Sequence, residues 1–150
     1  MRFRNVTIQD LPEISALGVR SKATWGYSDE AMAVFTEELT HNSDLLTRSL
    51  EAIVACADNK IVGYFTLVRR DDDSIELDFM FVLVESMGQG IGRAMMLEAM
   101  RLARSYQAEH LWLIADPQAV GFYEKFGAKQ VSNHQSCIPG RTIPVMRIVL

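Results

Sequence analysis

The sequence predicts a mixed α/β (α+β) domain, residues 1–150, in which helices are layered on a sheet. Three observations predict it. Between residues 51 and 84, short apolar runs are separated by charged or Asx turns, the pattern of a β-meander. A cluster of glycines then gives way to a long helical period. Last, a short apolar strand, a Pro-initiated helix and two further strands close the chain. The order is one strand, two helices, three strands, a helix, a strand, a helix and two strands.

Each element has a local cause. Residues 2–8 alternate Phe3, Val6 and Ile8 imperfectly with polar side chains and read as the first strand. Asp10 is placed as the N-cap of a helix reaching residue 21, with Pro12 in its first turn. Ser28 caps a second helix, and residues 40–48 are polar and give no clear period. Residues 53–57 and 61–68 flank an Asp58-Asn59 turn as a hairpin. The charge run Arg69-Arg70-Asp71-Asp72-Asp73 reads as a solvated turn before a third strand over 75–84. A helix follows the glycines through residue 104, with Met95, Met96 and Met100 filling core space. Residues 111–115 form a buried strand. Residues 117–126 form a helix capped by Asp116 and stopped by Gly127, and 129–131 and 143–149 pair at the end. As the last strand, apolar residues 143–150 predict an open sheet edge that a second copy would cover.

Composition narrows the function classes. With 49% hydrophobic and 23% charged residues, a chain of 150 residues is a single globular domain; at that size it buries roughly 70% of its unfolded surface without a disulfide or metal. A formal charge of −4 argues against a broadly basic nucleic-acid-binding surface. No apolar run approaches the ~18 residues of a membrane span, and the start MRFRNVTIQD lacks a signal peptide's apolar centre. Cys56 and Cys137 have no metal-ligand spacing, so no metal is expected. The expectation is a cytoplasmic protein with no nucleic-acid or membrane partner.

The chemistry-bearing feature is Gly88-Gln89-Gly90-Ile91-Gly92-Arg93, between a strand and a helix. Glycines let a ligand approach the backbone, and the helix turns unpaired N–H groups and its positive dipole end toward the loop. The natural guest is a phosphate or pyrophosphate. A triphosphatase loop needs Lys-Ser/Thr where Arg93-Ala94 stands, and the dinucleotide fingerprint needs a small residue at Arg93 and a βαβ setting. Neither fits. A ligand-free tight turn stays the alternative.

On these residues the chain resembles the Gcn5-related N-acetyltransferase (GNAT) superfamily over nearly its whole length. Its cofactor motif, Arg/Gln-x-x-Gly-x-Gly/Ala between strand and helix, is matched by Gly90-Ile91-Gly92 after Phe79-Met80-Phe81-Val82. A second motif, Asn-x-x-Ala-x-x-Phe-Tyr-x-x-x-Gly-Phe, is matched by residues 116–128, with Ala119, Phe122, Tyr123 and Gly127 in place. Departures are Met87 for Arg or Gln, Val84 for a common proline, and Asp116 for Asn, where the carboxylate keeps an acceptor but adds charge. Lys22-Ala23-Thr24-Trp25-Gly26-Tyr27 and Pro139-Gly140-Arg141-Thr142-Ile143-Pro144 resemble segments of a few small members.

The resemblance implies the family's acyltransferase fold with a mostly antiparallel central sheet, and acetyl transfer from acetyl-CoA to a primary amine of a small molecule or peptide. It also implies a homodimer. Acetyl-CoA is then held by Met80, Phe81 and Val82 along the strand, by Gly88, Gln89, Gly90, Ile91, Gly92 and Arg93 at the phosphates, and by Asp116, Ala119 and Tyr123. Tyr123 becomes the proton donor to the departing thiolate, against the alternative of a core aromatic. Glu76 and Asp78 share a strand face opposite Ile75, Leu77 and Phe79 and are the candidate bases. Asp78 is preferred, and a merely solvated acidic face is the alternative. His110 and His134 are weaker candidates. Trp25 and Tyr27 wall the acceptor pocket or pack ordinarily; Arg141 binds an acceptor's carboxylate or pairs with one of the protein's own acids. Two rival functions stand beside the transferase: a CoA-binding sensor, and an interaction domain that keeps only the fold.

Overall fold

The computed structural model describes residues 1–150. Seven strands form one sheet, β1 (Arg2–Asn5), β2 (Glu51–Ala57), β3 (Lys60–Arg69), β4 (Ile75–Val82), β5 (His110–Ile114), β6 (Lys129–Gln135) and β7 (Thr142–Val149), in the spatial order β1-β2-β3-β4-β5-β7-β6. Every pairing is antiparallel except β4 with β5. The helices are α1 (Leu11–Ala23), α2 (Asp29–Leu39), α3 (Asp44–Arg48), α4 (Ile91–Ser105) and α5 (Val120–Glu124).

Two apolar cores lie on opposite faces of this sheet. Ile91, Met95, Met96, Ala99, Met100 and Ala103 of α4 pack with Phe65, Leu67, Leu111, Leu113, Met146 and Ile148 of the strands. Leu11, Ile14 and Leu17 of α1 and Leu45 of α3 pack with Val54, Cys56, Ile61 and Tyr64. The Asp58-Asn59 turn has positive φ at both residues, 51° and 61°, the conformation a two-residue hairpin turn requires.

Several expectations are corrected. Asp10 makes no side-chain cap to α1. It reaches back instead to the Thr7 N–H at 2.8 Å and pairs with Arg4 at 2.7 Å, because a short 3-10 turn, Ile8–Asp10, precedes the helix. The predicted 117–126 helix is a 3-10 turn, Pro117–Ala119, running into the short α5. β6 extends to Gln135, and the polar stretch 40–48 yields α3. The final strand is not an edge: β7 is paired on both sides, with β5 and with β6. The sheet's edges are β1 and β6, and all seven residues of β6 are exposed.

The correction that matters most for the site is in β4. Thr66 pairs with Phe79 and the adjacent Leu67 with Leu77, so Asp78 is an extra residue in a β-bulge. Simple alternation fails there. Ile75 and Leu77 face the α4 core, but beyond the bulge Phe79 and Phe81 pack on the α1 core, while Met80 and Val82 take the α4 side. Phe79 therefore lies on the side opposite Leu77.

Candidate active site

A bulge bends its strand and ends regular pairing, and here it coincides with a parting of the sheet. β4 and β5 pair in parallel only at Ile75–Leu111, Glu76–Trp112 and Leu77–Leu113. From Asp78 onward β4 keeps β3 on one side and has no strand on the other. A cavity of about 520 Å³ occupies this region. Its lining includes Glu76, Asp78, Met80, Phe81 and Val82 of β4, Ile114 and Asp116 at the end of β5, and Ala119, Phe122 and Tyr123 after it. The opposite wall comes from Lys22, Trp25, Phe35 and Glu38 and from the His134, Ser136, Cys137 and Arg141 region.

The glycine turn sits at the rim. Gly88 and Gly90 have φ of 77° and 82°, in the left-handed region, and a Cβ at either would meet nothing within 4 Å. Glycine is thus required by backbone conformation and leaves the turn open to an incoming group. The first α4 bond runs from the Ala94 N–H to the Gly90 carbonyl at 3.0 Å, so the amides of Ile91, Gly92 and Arg93 are not used by the helix. Gly92 serves packing: a Cβ there would lie 3.3 Å from the Phe122 ring. Of the loop residues, Met87 and Gly92 line the cavity; Gly88, Gln89, Gly90, Ile91 and Arg93 do not. Ile91 is buried in the α4 core and Arg93 is exposed, so this segment offers backbone amides rather than inward side chains.

Tyr123 lines the cavity and also packs against the α4 core, and its hydroxyl takes no protein hydrogen-bond partner. Burial, with the nearby Asp116 carboxylate adding to it, pushes the phenol up to about 12. On β4, burial and the neighbouring Asp78 carboxylate raise Glu76 above the ordinary carboxylate range. Asp78 is paired with Arg48 of α3 at 2.9 Å.

Asp116 is the most heavily engaged acid in the cavity. Its Oδ2 accepts from Lys22 Nζ at 2.8 Å and from the Tyr27 hydroxyl, and its Oδ1 accepts from the Gln118 N–H at 2.9 Å. Burial works against its ionisation, but Lys22, Tyr27 and Gln118 outweigh burial and hold the group below its usual range. Arg141 donates to the Tyr27 hydroxyl at 2.8 Å and to Ser136 Oγ at 3.0 Å. Trp25 lines the cavity as expected, but Tyr27 does not: it stands behind, edge-on to Phe35 with ring centroids 4.9 Å apart, and ties Asp116 to Arg141. The two sequence segments around Lys22 and Arg141 therefore meet at one carboxylate.

Sequence reasoning expected walls from the first two helices and from the 136–141 loop, where Ser136 and Cys137 do line the cavity, but it did not single out Lys22, Phe35 or Glu38 and set His134 aside. The signal available was the pair of segments 22–27 and 139–144, which were singled out together; what brings them into contact is tertiary. No group of three or more His, Cys, Asp or Glu side chains is arranged to hold a metal ion, and no helix is long and apolar enough to cross a membrane.

The acetyltransferase (GNAT) family model matches residues 15–128. An uncharacterized N-acetyltransferase of Mycobacterium tuberculosis is 33% identical over 91 residues, as is one of Mycobacterium bovis, and the match covers 58% of this chain and 58% of each relative. Among solved structures, the PaiA N-acetyltransferase of Thermoplasma acidophilum in complex with coenzyme A superposes with a TM-score of 0.82 at 21% identity, covering 99% of this chain and 98% of that one. A GCN5-related N-acetyltransferase of Rhodopseudomonas palustris gives a TM-score of 0.85 at 20% identity, with 99% and 95% covered. These superpositions extend over nearly the whole chain and show a shared mixed α/β fold. The family match runs from α1 to just past α5, across both parted strands and the cavity wall except its 134–143 part, and this chain belongs to the GNAT family of acetyltransferases.

Proposed function

We propose that the chain transfers an acetyl group from acetyl-CoA to a primary amine of a small molecule or peptide, by direct attack within the cavity. The observation that carries this reading is the parting of β4 from β5 beside Tyr123 and Glu76. Backbone groups of Met80, Phe81 and Val82 on the unpaired side of β4 suit an amide-bearing arm laid alongside as an added strand. The amides of residues 91–93 and the open turn at Gly88 and Gly90 suit a pyrophosphate, with Arg93 near enough in sequence to add charge. When bound, acetyl-CoA supplies an acetyl thioester.

The protein's own groups then have two tasks. The amine must lose a proton before it attacks, since a free alkyl amine titrates near ~10. Glu76 suits that task better than Asp78, because burial and the Asp78 charge make its carboxylate more basic, outweighing the opposing pull of Arg70 and His134, and it makes no ion pair, whereas Asp78 is paired with Arg48. As the carbon–sulfur bond breaks, the Tyr123 hydroxyl gives its proton to the sulfur, and the proton shed by the acylated nitrogen passes through solvent to restore the phenol. Asp116 and Ala119 border this end of the cavity.

Two free thiols, Cys56 and Cys137, support a cytoplasmic setting. A homodimer, if formed, has the exposed β6 edge as its available strand, and sedimentation at micromolar concentration decides it. The test of function pairs calorimetric titration of acetyl-CoA with thiol release over a panel of amines. Binding followed by amine-dependent release is expected. Binding with no release from any amine would leave a CoA sensor, and absence of binding would leave only the fold.

A further inference from the structure

The cavity carries opposite charges that do not neutralise each other. Lys22 and Arg141 both line it, with side chains only 14% and 20% exposed. They share one carboxylate, Asp116, whose two oxygens are already taken by Lys22, Tyr27 and Gln118. Arg141 stands 3.8 Å from that carboxylate, beyond hydrogen-bond reach, and its two bonds go to the neutral oxygens of Tyr27 and Ser136. Most of its five donors remain free. The guanidinium is also held against the faces of Tyr27 and Phe35, 5.3 and 5.6 Å from the ring centroids. It is a fixed, mostly buried cation whose nearest carboxylate, Asp116, lies out of hydrogen-bond reach and is already engaged by Lys22, and burial of such a charge is costly unless it is fully paired. On β4, across the same cavity, Glu76 has no Lys, Arg or His nitrogen within 4.0 Å; Glu38, on the wall that carries Lys22 and Arg141, has none either, although Cys137 lies against it.

We infer that the acceptor is an amine that also bears a carboxylate, such as an amino acid or a peptide with a free C-terminus. Arg141, seconded by Lys22, binds the acid while the amine lies toward Glu76. This deepens the transferase reading and rests on it. A planar guanidinium with free N–H groups matches a carboxylate bidentately, and Asp116 and Tyr27 act as positioning residues that hold both cations in place.

The test needs no variant to begin. Thiol release is compared for amino acids and their carboxamides, which share the amine and differ in the acid. The acid should be preferred in kcat/KM by roughly 10-fold or more, mainly through KM, the scale of a charge-assisted pair. In Arg141→Gln the preference should collapse toward parity, and in Arg141→Lys it should return in part; melting curves check that both fold. Equal rates for acid and amide in the native protein, or a preference for the amide, overturn the inference while leaving the transferase intact. Calorimetry of the CoA-saturated protein with the same pairs separates the two readings. Acid-selective, Arg141-dependent binding without turnover would uphold the anion site and sink the transferase, and no selective binding would sink the site.

Discussion

Tyr123 and Glu76 carry different burdens, and single substitutions separate them. Tyr123→Phe keeps the ring that packs beside Phe122, 5.1 Å between centroids, and removes only the hydroxyl. Because that hydroxyl has no protein partner, its loss should leave the melting temperature nearly unchanged. Turnover should fall by roughly 10²-fold, the scale of a positioned acid, with acetyl-CoA affinity preserved. Near-normal turnover in this variant would move proton donation to water. Glu76 must be ionised to accept a proton, and burial raises its titration. Activity should therefore fall on acidification at a pH above the usual carboxylate range. In Glu76→Gln that acidic limb should disappear along with most of the rate; a limb unchanged in the variant would assign the base elsewhere. The place of Tyr123 in the cavity was legible because its motif is local. Tyr27's place behind the wall was not, since its role depends on Asp116 and Arg141, each more than 80 residues away.

At the scale of elements, the turn between β4 and α4 is the most sensitive to change. Gly90→Ala asks an L side chain to adopt φ 82° and should cost about 1–2 kcal/mol of stability. Gly90→Glu adds bulk and negative charge where the helix amides open, and should abolish acetyl-CoA binding beyond what Gly90→Ala does. Equal affinity in the two variants, measured by calorimetry, would remove the turn from the cofactor site. Element order was readable because hydrophobic period, Asx turns and glycines are local signals, as the Ser28 cap shows: its Oγ accepts from Ala31 N–H at 3.1 Å. Local signals fail where a partner is distant. Asp10 has the residue type of a helix cap, but Arg4 and Thr7 claim it, and their pull holds its carboxyl down at about 2. β7 reads as an edge because it comes last in the chain, yet the fold inserts it between β5 and β6.

For the whole molecule, acid stability follows from two groups on the α1 side. Burial, with the Arg48 charge adding to it, lowers His41 from 6.5 to about 4, while its Nε2 lies 2.8 Å from the hydroxyl of the fully buried Tyr64. The unfolded chain binds this proton more readily, so stability rises with pH between 4 and 6.5. Asp10 adds a second loss at lower pH, because its depressed titration confers stability above 3.8 that disappears as pH falls through about 2. Denaturant midpoints taken across this range should fall in two stages. His41→Gln should flatten the upper stage and leave the lower one. A native profile that is flat from pH 6.5 to 4 would show that His41 protonates without cost.

The extra residue in β4 can be weighed by subtraction. Removing Asp78 would make Leu77 and Phe79 neighbours opposite Leu67 and Thr66, which are already neighbours. Leu77 would still face α4 and Phe79 would still face α1, with Met80, Phe81 and Val82 keeping their sides. A shortened chain thus preserves the whole inside-outside parity of the sheet, and it forfeits only the partly exposed Arg48 pair, which is worth at most about 1 kcal/mol. The extra residue is therefore expected to be dispensable for folding, and we predict that what it supports is the gap itself. A protein lacking Asp78 should melt close to the native temperature, zip β4 and β5 together past Leu77, and no longer take up acetyl-CoA. Retained uptake would mean that the strands part for a reason other than their count of residues. If the cleft does close, the binding groove of this fold is one codon's worth of surplus backbone, a feature that evolution can open or shut without repacking either core.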